Sequence, residues 1–330
     1  MFRPAPWGMP VRGTQGVLME EESVAAERIH LWDRDTLEEE AWLIHLPSSR
    51  HASDVTVTEL TDTAGRAPGN AKSALRPHPF EDLACRLLSA LCDGPGLVVL
   101  RGLPLDELSD QACAELCRSA ISLAGTPRPP ESAAPMDHLL TTVPTSRVSA
   151  PADPDDILRG PAEEAALAPH TDRAGPSGPP RLLALLCVRP ALKGGESLLV
   201  SGHSVHDRLS ADRPAVLSTL YRDFYFGAER NLARSGPVFT RSDGRLQVRY
   251  NRYQIERGHH AAGEPLTAAQ VEALDAFDEV LGDESLFLRL PLRRGDLLML
   301  NNNTVLHGRT SFTDHPDPLQ HRCLARAWAD

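Results

Sequence analysis

The chain has 330 residues and a net charge of −11, from 34 basic and 45 acidic side chains. An acidic chain without a basic tract does not favour a nucleic-acid partner. We see neither the apolar start of a signal peptide nor a run of about eighteen apolar residues that could span a membrane, so we expect a cytoplasmic protein with no membrane partner. Its six cysteines are expected to be small core residues in a reducing compartment.

The N-terminal part of the chain shows little periodic patterning. We interpret residues 1–80 as an extension packed on the core, and residues 81–330 as one β-rich domain. Residues 126–169 are rich in Pro, Ala, Asp and Glu and lie directly before a candidate metal motif, so we predict that they form a lid. Lids of this kind shield reactive intermediates.

Two helices are predicted before that lid. Apolar side chains recur at helical intervals from Phe80 to Cys92, and Gly94-Pro95-Gly96 ends this helix before an apolar strand at Leu97–Leu100. The second helix is predicted from Asp110 to Leu123.

The second half of the chain alternates between strands and helices. Short apolar or alternating runs predict strands at 182–188, 197–200, 246–250, 286–290, 297–300 and 322–327. Helices are predicted near Val205–Leu209 and from the capping box Thr267–Gln270 to Gly282. Strands spread along the chain with helices between them predict an α+β, β-rich fold, with a double-stranded β-helix (jelly roll) core and helical decorations.

His170-Thr171-Asp172 and His307 have the residue types of a metal site. Residues i and i+2 of an extended segment point to the same side, so His170 and Asp172 can converge on one ion. His307 follows an apolar strand, whose end is a rigid platform for a third ligand. Two imidazoles and one carboxylate leave three positions open on an octahedral ion, as a non-haem Fe(II) centre that activates dioxygen requires.

The segment from Arg322 to Trp328 places arginines on one face of a predicted strand. Alternation puts the even-numbered residues on one side and the small residues Cys323, Ala325 and Ala327 on the other. An inward-facing guanidinium is costly unless it meets an anion, and it donates two parallel hydrogen bonds to a carboxylate. Arg322 and Arg326 lie about 13 Å apart along such a strand. One can bind a cosubstrate and the other a second acid or a structural partner, and the alternative is a solvated edge strand.

Together these segments resemble the taurine dioxygenase-like (TauD/TfdA) family of Fe(II)/2-oxoglutarate-dependent oxygenases, in the clavaminate synthase-like wider group. The resemblance runs from about Gly94 to Asp330. It includes four further motifs in the family's order: Gly94–Gly102, Gly194–Ser197, Gly295–Leu298 and Leu306–Thr310. It implies that iron is bound by His170, Asp172 and His307, and that 2-oxoglutarate is bound by Ser197 and Arg322.

Two positions depart from common patterns of this group. Ser197 stands where threonine is frequent, but serine keeps the hydroxyl group that binds the cosubstrate. Asp172 stands where the clavaminate and arginine hydroxylase branch usually has glutamate, which places the chain nearer the taurine-type members. Halogenating relatives have a small residue there, so Asp172 argues against halogenation.

The resemblance implies that dioxygen and 2-oxoglutarate are consumed to hydroxylate an unactivated C–H bond of a small-molecule substrate. Desaturation or cyclisation at the same site is an alternative. We expect a small amino acid or related carboxylic acid from secondary metabolism, because Arg326 and Arg252 can supply a second anion site. A carrier-protein-tethered aminoacyl substrate is a further alternative. A cupin-type metalloenzyme without 2-oxoglutarate and a non-enzymatic barrel are competing classes, but both leave Arg322 unexplained.

The other histidine pairs are expected on the surface. His203 and His206 lie three residues apart in a polar segment, and His259-His260 lies beside glycine in a predicted loop. Spacing of this kind can serve a metal on a helix, but the polar surroundings favour solvent exposure. We therefore predict no metal site at either pair.

Overall fold

The structure is a computed structural model that describes residues 30–46, 79–129, 165–175, 178–227, 234–242 and 244–330. Its α-helices are α1 Pro79–Leu88, α2 Asp110–Ile121, α3 Gly202–Asp212, α4 Pro214–Leu220, α5 Arg252–Ala262 and α6 Ala268–Leu281. Its strands are β1 Leu43–His45, β2 Leu97–Arg101, β3 Leu167–His170, β4 Leu182–Arg189, β5 Lys193–Gly194, β6 Ser197–Ser201, β7 Asp223–Phe226, β8 Arg234–Pro237, β9 Phe239–Ser242, β10 Arg245–Val248, β11 Leu288–Leu290, β12 Leu297–Asn301, β13 Val305–Arg309, β14 Phe312–Thr313 and β15 Cys323–Ala329. The predicted mixture of helices with many strands is confirmed.

Two sheets form the centre of the described structure. The larger has five strands in the order β1-β2-β12-β4-β15, and the smaller has four in the order β11-β6-β13-β3. Every neighbouring pair in them is antiparallel except β1 and β2. Because chain neighbours are seldom sheet neighbours, residues far apart in sequence meet on the same face.

The two sheets pack face to face through an apolar layer. Strand β12 shows how alternation builds it, because Leu298 and Leu300 enter this layer while Leu297 and Met299 point to the opposite side of the sheet. Leu199 and Val305 supply the layer from the smaller sheet. Apolar burial of this kind contributes about 25 cal/mol per Å² removed from water, so the facing layers hold the sheets together.

Helices cover the outer face of each sheet. The five-stranded sheet packs against α1 and α2, and the four-stranded sheet packs against α3 to α6 and the β7–β10 hairpins. The predicted second helix is confirmed at Asp110–Ile121, where the Ser109 side chain caps the Ala112 N–H. The predicted Thr267–Gln270 capping box is also present and opens α6.

The N-terminal segment at residues 30–46 packs on the sheets. Its strand β1 extends the larger sheet beside β2, and Trp32 and Trp42 are buried between the sheets. Of the predicted lid, only residues 126–129 and 165–169 are described, and Pro127 forms a bridge with Ala329. The rest of the lid prediction lies outside the described residues. Among those residues, no helix combines the length and apolar character needed to cross a bilayer.

Two predictions of surface histidines are wrong. His203 is 5% exposed, because residues 30–32 cover the start of α3 and the His30 ring stacks on it with centroids 4.9 Å apart. His259 is also 5% exposed and lies in α5. Its Nε2 accepts from the Tyr225 N–H, and its Nδ1 donates to the Glu264 carbonyl. Long-range packing therefore buries side chains that look superficial in their local sequence.

Candidate metal centre

The three predicted metal ligands come together at one end of the four-stranded sheet. Strands β3 and β13 pair so that His170 lies opposite His307, with ring centroids 4.6 Å apart. The donor atoms of His170, Asp172 and His307 all lie within 4.8 Å of one another. Gly308 permits this pairing, because a Cβ there would lie 2.5 Å from the Leu167 carbonyl oxygen. Small side-chain adjustments can therefore bring all three groups onto a single ion.

Buried hydrogen bonds fix the backbone of the metal motif. The Asn302 side chain accepts from the Asp172 N–H at 2.8 Å and donates to the Asp172 carbonyl at 3.0 Å. Thr171 N–H donates to the Tyr250 carbonyl, while the Thr171 hydroxyl accepts from the Tyr250 N–H. Asn302 is fully buried, so these partners replace water and leave Asp172 little freedom to shift.

Other hydrogen bonds select which atoms of the ligands face the ion. The His170 Nδ1 lies 3.0 Å from the Ala168 carbonyl, which can only accept, so Nδ1 carries the proton and Nε2 keeps its lone pair. The Asp172 Oδ2 accepts from the Trp328 indole N–H at 2.6 Å. Arg326 lies 3.7 Å from the same oxygen. Oδ1 of Asp172 and Nε2 of His170 are therefore the atoms left for a metal.

The electrostatic setting keeps the ligands in their binding states. Burial alone would raise the pKa of Asp172, but the charge of Arg326, with the Trp328 hydrogen bond, holds this pKa well below its usual range. Burial lowers the pKa of His307, and the neighbouring His170 lowers it further. At neutral pH the carboxylate is ionised and the His307 imidazole is neutral, as metal coordination requires.

Arg322 and Ser197 are the residues predicted to bind a cosubstrate carboxylate. Arg322 lines a cavity of about 240 Å³ together with Gly195 and Leu324. A Cβ at residue 195 would lie 3.2 Å from the Arg322 Nε, so glycine there lets the guanidinium approach the turn before Ser197. Burial lowers the pKa of Arg322 to about 10, with a further contribution from Arg309. A half-buried guanidinium close to a second arginine favours an anionic ligand.

The strand predicted around Arg322 begins one residue later than expected. The structure has β15 at Cys323–Ala329, and its pairing with β4 is irregular between Cys323 and Leu324. The alternation of side chains along β15 therefore does not extend to Arg322. Arg322 and Leu324 nevertheless line the same cavity. Ser197 is buried on β6, directly opposite Arg309 of β13.

The two arginines expected to bind a substrate have different surroundings. Arg326 stands beside Asp172 and is therefore next to the candidate metal ligands. Arg252 forms ion pairs with Glu256, Asp275 and Asp278 at 2.5–3.0 Å. These carboxylates satisfy its charge within the protein, so the contacts of Arg252 favour a structural role, and its binding of a substrate stays a prediction.

Comparison with protein families identifies this arrangement. The family described as "Taurine catabolism dioxygenase TauD, TfdA family" matches residues 58–328, which is most of the chain. The chain belongs to the TauD/TfdA family. The match begins before residue 81, where we placed the start of the domain from sequence.

Two relatives of this TauD/TfdA chain match over less than half of it. A uridine-5'-phosphate dioxygenase from Streptomyces sp is 33% identical over 153 residues, covering 43% of this chain and 53% of the relative. A taurine hydroxylase-like protein from Stachybotrys chartarum is 32% identical over 152 residues, covering 43% of this chain and 37% of the relative. The chain thus spans about half or less of the length of these curated relatives.

Solved structures share the fold of this TauD/TfdA member. Asparagine oxygenase in complex with Fe(II), 3-hydroxyasparagine and succinate aligns with a TM-score of 0.55 at 18% identity, over 87% of this chain and 93% of that chain. The non-haem iron oxygenase OrfP in complex with Fe and α-ketoglutaric acid aligns with a TM-score of 0.55 at 19% identity, with the same two coverages. At 18% and 19% identity, this likeness shows a shared fold and no more.

Sequence reasoning missed residues that contact the candidate metal ligands of this TauD/TfdA member. Trp328 was placed on the same strand face as Arg326, but its hydrogen bond to Asp172 was not predicted. Asn302 was not singled out, although an asparagine in a turn directly after an apolar strand is a recognisable polar signal. Both partners act on Asp172 from distant parts of the chain, so no local spacing connects them.

Proposed function

We propose that this protein is a non-haem Fe(II)/2-oxoglutarate-dependent dioxygenase with a jelly-roll core. The observation that carries the proposal is the convergence of His170, Asp172 and His307, with donor atoms within 4.8 Å of one another. Two facing antiparallel sheets support the jelly-roll assignment. The charge-bearing cavity at Arg322 supports the use of a 2-oxo dicarboxylic acid.

The proposed roles follow from the donor atoms. His170, Asp172 and His307 would hold iron, while Ser197 and Arg322 would bind the distal carboxylate of 2-oxoglutarate. Bound iron, together with 2-oxoglutarate and O2, would supply the oxidising chemistry needed to cleave an unactivated C–H bond. The protein's task is to fix this geometry and to keep the site dry.

The chain's own residues meet those requirements in separate ways. Asn302 and Thr171 hold the metal motif rigidly, and the Ala168 carbonyl fixes the His170 tautomer. The Phe312 ring lies under the guanidinium groups of Arg309 and Arg322 and limits access of water to them. A preorganised cationic pocket of this kind orients a dicarboxylate before the reaction begins.

We propose hydroxylation of a small amino acid or related carboxylic acid, in secondary metabolism and in the cytoplasm. Arg326 lies beside Asp172, so an acidic group bound there would place nearby C–H bonds close to the metal site. The solved relatives in complex with asparagine- or arginine-derived ligands support this substrate class. Six cysteines without disulfides are compatible with a reducing compartment.

A nucleotide is the second candidate substrate. The uridine-5'-phosphate dioxygenase from Streptomyces sp shares 33% identity with this chain, and a phosphate is also an anion that an arginine can bind. Desaturation, cyclisation and a carrier-tethered substrate remain alternative outcomes of the same cofactor chemistry. A screen of free amino acids and nucleoside monophosphates, monitored by succinate formation, would separate the amino-acid candidate from the nucleotide candidate.

The cofactor assignment can be tested by anaerobic titration of the metal-free protein with Fe(II) and 2-oxoglutarate. We expect the weak visible charge-transfer band of the chelate in the wild type and its loss in His307→Ala. The exposed His260 provides a matched histidine control, and His260→Ala should keep the band. Iron binding without this band would contradict the use of 2-oxoglutarate and favour a cupin-type metalloenzyme.

A further inference from the structure

We propose that Trp328 is a positioning residue that makes Asp172 a one-oxygen metal ligand by holding its second oxygen away from the ion. This inference rests on the proposed iron site. The Trp328 indole N–H donates to the Asp172 Oδ2 at 2.6 Å, a short hydrogen bond to a charged acceptor. Both residues are buried, at 7% exposure each, so water has little access to this bond.

The position of Trp328 in the fold gives the bond its effect. Trp328 belongs to β15 in the five-stranded sheet, whereas His170 and His307 belong to strands of the four-stranded sheet. The indole therefore reaches the metal motif from the facing sheet. It orients the carboxylate independently of the strands that carry the histidines.

Two guanidinium groups hold the indole in place. The Arg173 guanidinium carbon lies 4.2 Å from the centre of the Trp328 ring, and that of Arg326 lies 4.8 Å from it. Cation–π contacts of this kind stabilise a ring orientation. Arg173 is a non-glycine residue with a positive φ of 53°, which turns the chain sharply after Asp172. The indole is thus held by Arg173, which follows Asp172 in the chain, and by Arg326, which lies beside the Asp172 carboxylate.

The geometry has a chemical consequence for the open coordination positions. A carboxylate that binds through both oxygens occupies two positions on an ion, whereas one oxygen occupies one. With Oδ2 engaged by Trp328 and close to Arg326, only Oδ1 of Asp172 is available. Three positions then remain after the two histidines bind, enough for a bidentate 2-oxo acid and dioxygen.

Co(II) is a suitable probe because its visible absorption depends on the identity and arrangement of its ligands. The sharpest variant replaces Trp328 with benzothienylalanine, which keeps the ring shape and exchanges the N–H for sulfur. We expect Co(II) affinity to fall about 10- to 100-fold, as when other partners of metal ligands are removed. The Co(II) spectrum should also change, because the released Oδ2 can replace a water molecule on the ion.

Trp32 offers a matched control within the same apolar layer. It is 4% exposed, and its indole N–H donates to the Pro95 carbonyl at 2.8 Å, away from the metal ligands. Trp32→Phe should lose core packing and one hydrogen bond but keep the Co(II) affinity and spectrum. Trp328→Phe should reproduce the effects of benzothienylalanine, together with a loss of stability measured by urea unfolding.

The outcomes separate this inference from the proposed function. Wild-type Co(II) affinity and spectrum in the benzothienylalanine variant would overturn the role of Trp328, even if the wild type forms the 2-oxoglutarate chelate. An equal loss of affinity in Trp32→Phe would show that packing alone is responsible and would also overturn it. Absence of metal binding by the wild type would instead contradict the proposed iron site.

Discussion

At the scale of single residues, the metal motif depends on partners that satisfy its buried backbone. Asn302 uses its amide in both directions, accepting from the Asp172 N–H and donating to the carbonyls of Asp172 and Pro180. None of these groups has access to water to replace a lost partner, because Asn302 is fully buried. Its side chain therefore links the stability of the fold to the geometry of the site.

Removal of the Asn302 side-chain amide should lower both the stability of the fold and the affinity of the candidate site for a metal ion. We expect Asn302→Ala to lower the free energy of unfolding by about 2–4 kcal/mol, because buried polar groups lose their partners. Co(II) affinity should fall about 10-fold or more, since Asp172 is no longer fixed. Urea unfolding and Co(II) titration would measure the two effects.

The adjacent Asn303 provides the comparison for this prediction. Its backbone N–H donates to the Asn301 side chain, a bond that Asn303→Ala retains. We expect that variant to change stability by less than about 0.5 kcal/mol, as is usual away from buried networks. Equal losses in the two variants would mean that the Asp172 hydrogen bonds do not carry the effect.

The sequence was most informative about functional residues where the chemistry of the site allows only a few residue types. A metal accepts few side chains, so His170, Asp172 and His307 could be selected, and the structure brings them together. The Trp328 contact could not be selected, because it depends on how two sheets face each other. Spacing specifies the direction of a side chain along a strand, but not the group that it meets across the core.

At the scale of elements, the docking of residues 30–32 onto α3 creates a pH-sensitive contact. The His30 and His203 rings stack with centroids 4.9 Å apart. Burial lowers the pKa of His203 to about 3, with further contributions from His30, His206 and Arg241. Burial and Arg245 lower the pKa of His30, partly opposed by Asp93. Both imidazoles are therefore neutral in the folded protein at neutral pH.

Acidification should destabilise the fold through this contact. An unfolded histidine takes up a proton near pH 6.5, whereas folded His203 does so near pH 3, so its contribution to stability is lost as the pH falls between these values. At pH 5 the loss from His203 is about 2 kcal/mol. We expect the difference between the unfolding free energies at pH 7 and pH 5 to be about 2 kcal/mol smaller in His203→Gln than in the wild type.

Urea unfolding at both pH values would measure this difference. His260→Gln serves as the control, because the His260 side chain is exposed and its surroundings change little on unfolding. An unchanged pH dependence in His203→Gln would place the acid sensitivity elsewhere in the protein.

Elements with strong local signals agreed best with the sequence predictions. Caps at Ser109 and Thr267 mark the starts of α2 and α6, and both helices form as expected. Helix α3 is longer than the predicted Val205–Leu209, because Ser201 caps it and residues 30–32 cover its first turn. The local sequence contains the residue that caps α3. It does not show that residues 30–32, which lie far away in sequence, cover the start of this helix.

At the scale of the whole molecule, the candidate site lies between two sheets whose strands interleave along the chain. The candidate metal ligands belong to β3, to the residues just after it, and to β13, all on the side of the four-stranded sheet. Arg322 directly precedes β15 of the five-stranded sheet, while Ser197 begins β6 of the smaller one. A dicarboxylate held by both would therefore join the two sheets.

This arrangement predicts two separate steps of stabilisation by ligands. Co(II) alone should raise the melting temperature, because it binds the folded ligand set and not the unfolded chain. Addition of 2-oxoglutarate at 100 times its dissociation constant should raise the free energy of unfolding further, by about 2.7 kcal/mol. Differential scanning calorimetry of the wild type and of His307→Ala would show both steps in the former and neither in the latter.

Arg322→Met should separate the two steps, because it removes the anion-binding guanidinium and leaves the metal ligands in place. We expect the rise caused by Co(II) to persist and the further rise caused by 2-oxoglutarate to be lost. Arg213→Met is the comparison, since that side chain is 43% exposed and pairs with Glu279 away from the candidate site. If the second step survived in Arg322→Met, another cation would hold the cosubstrate, and Arg309, opposite Ser197 on β13, would be the next residue to replace.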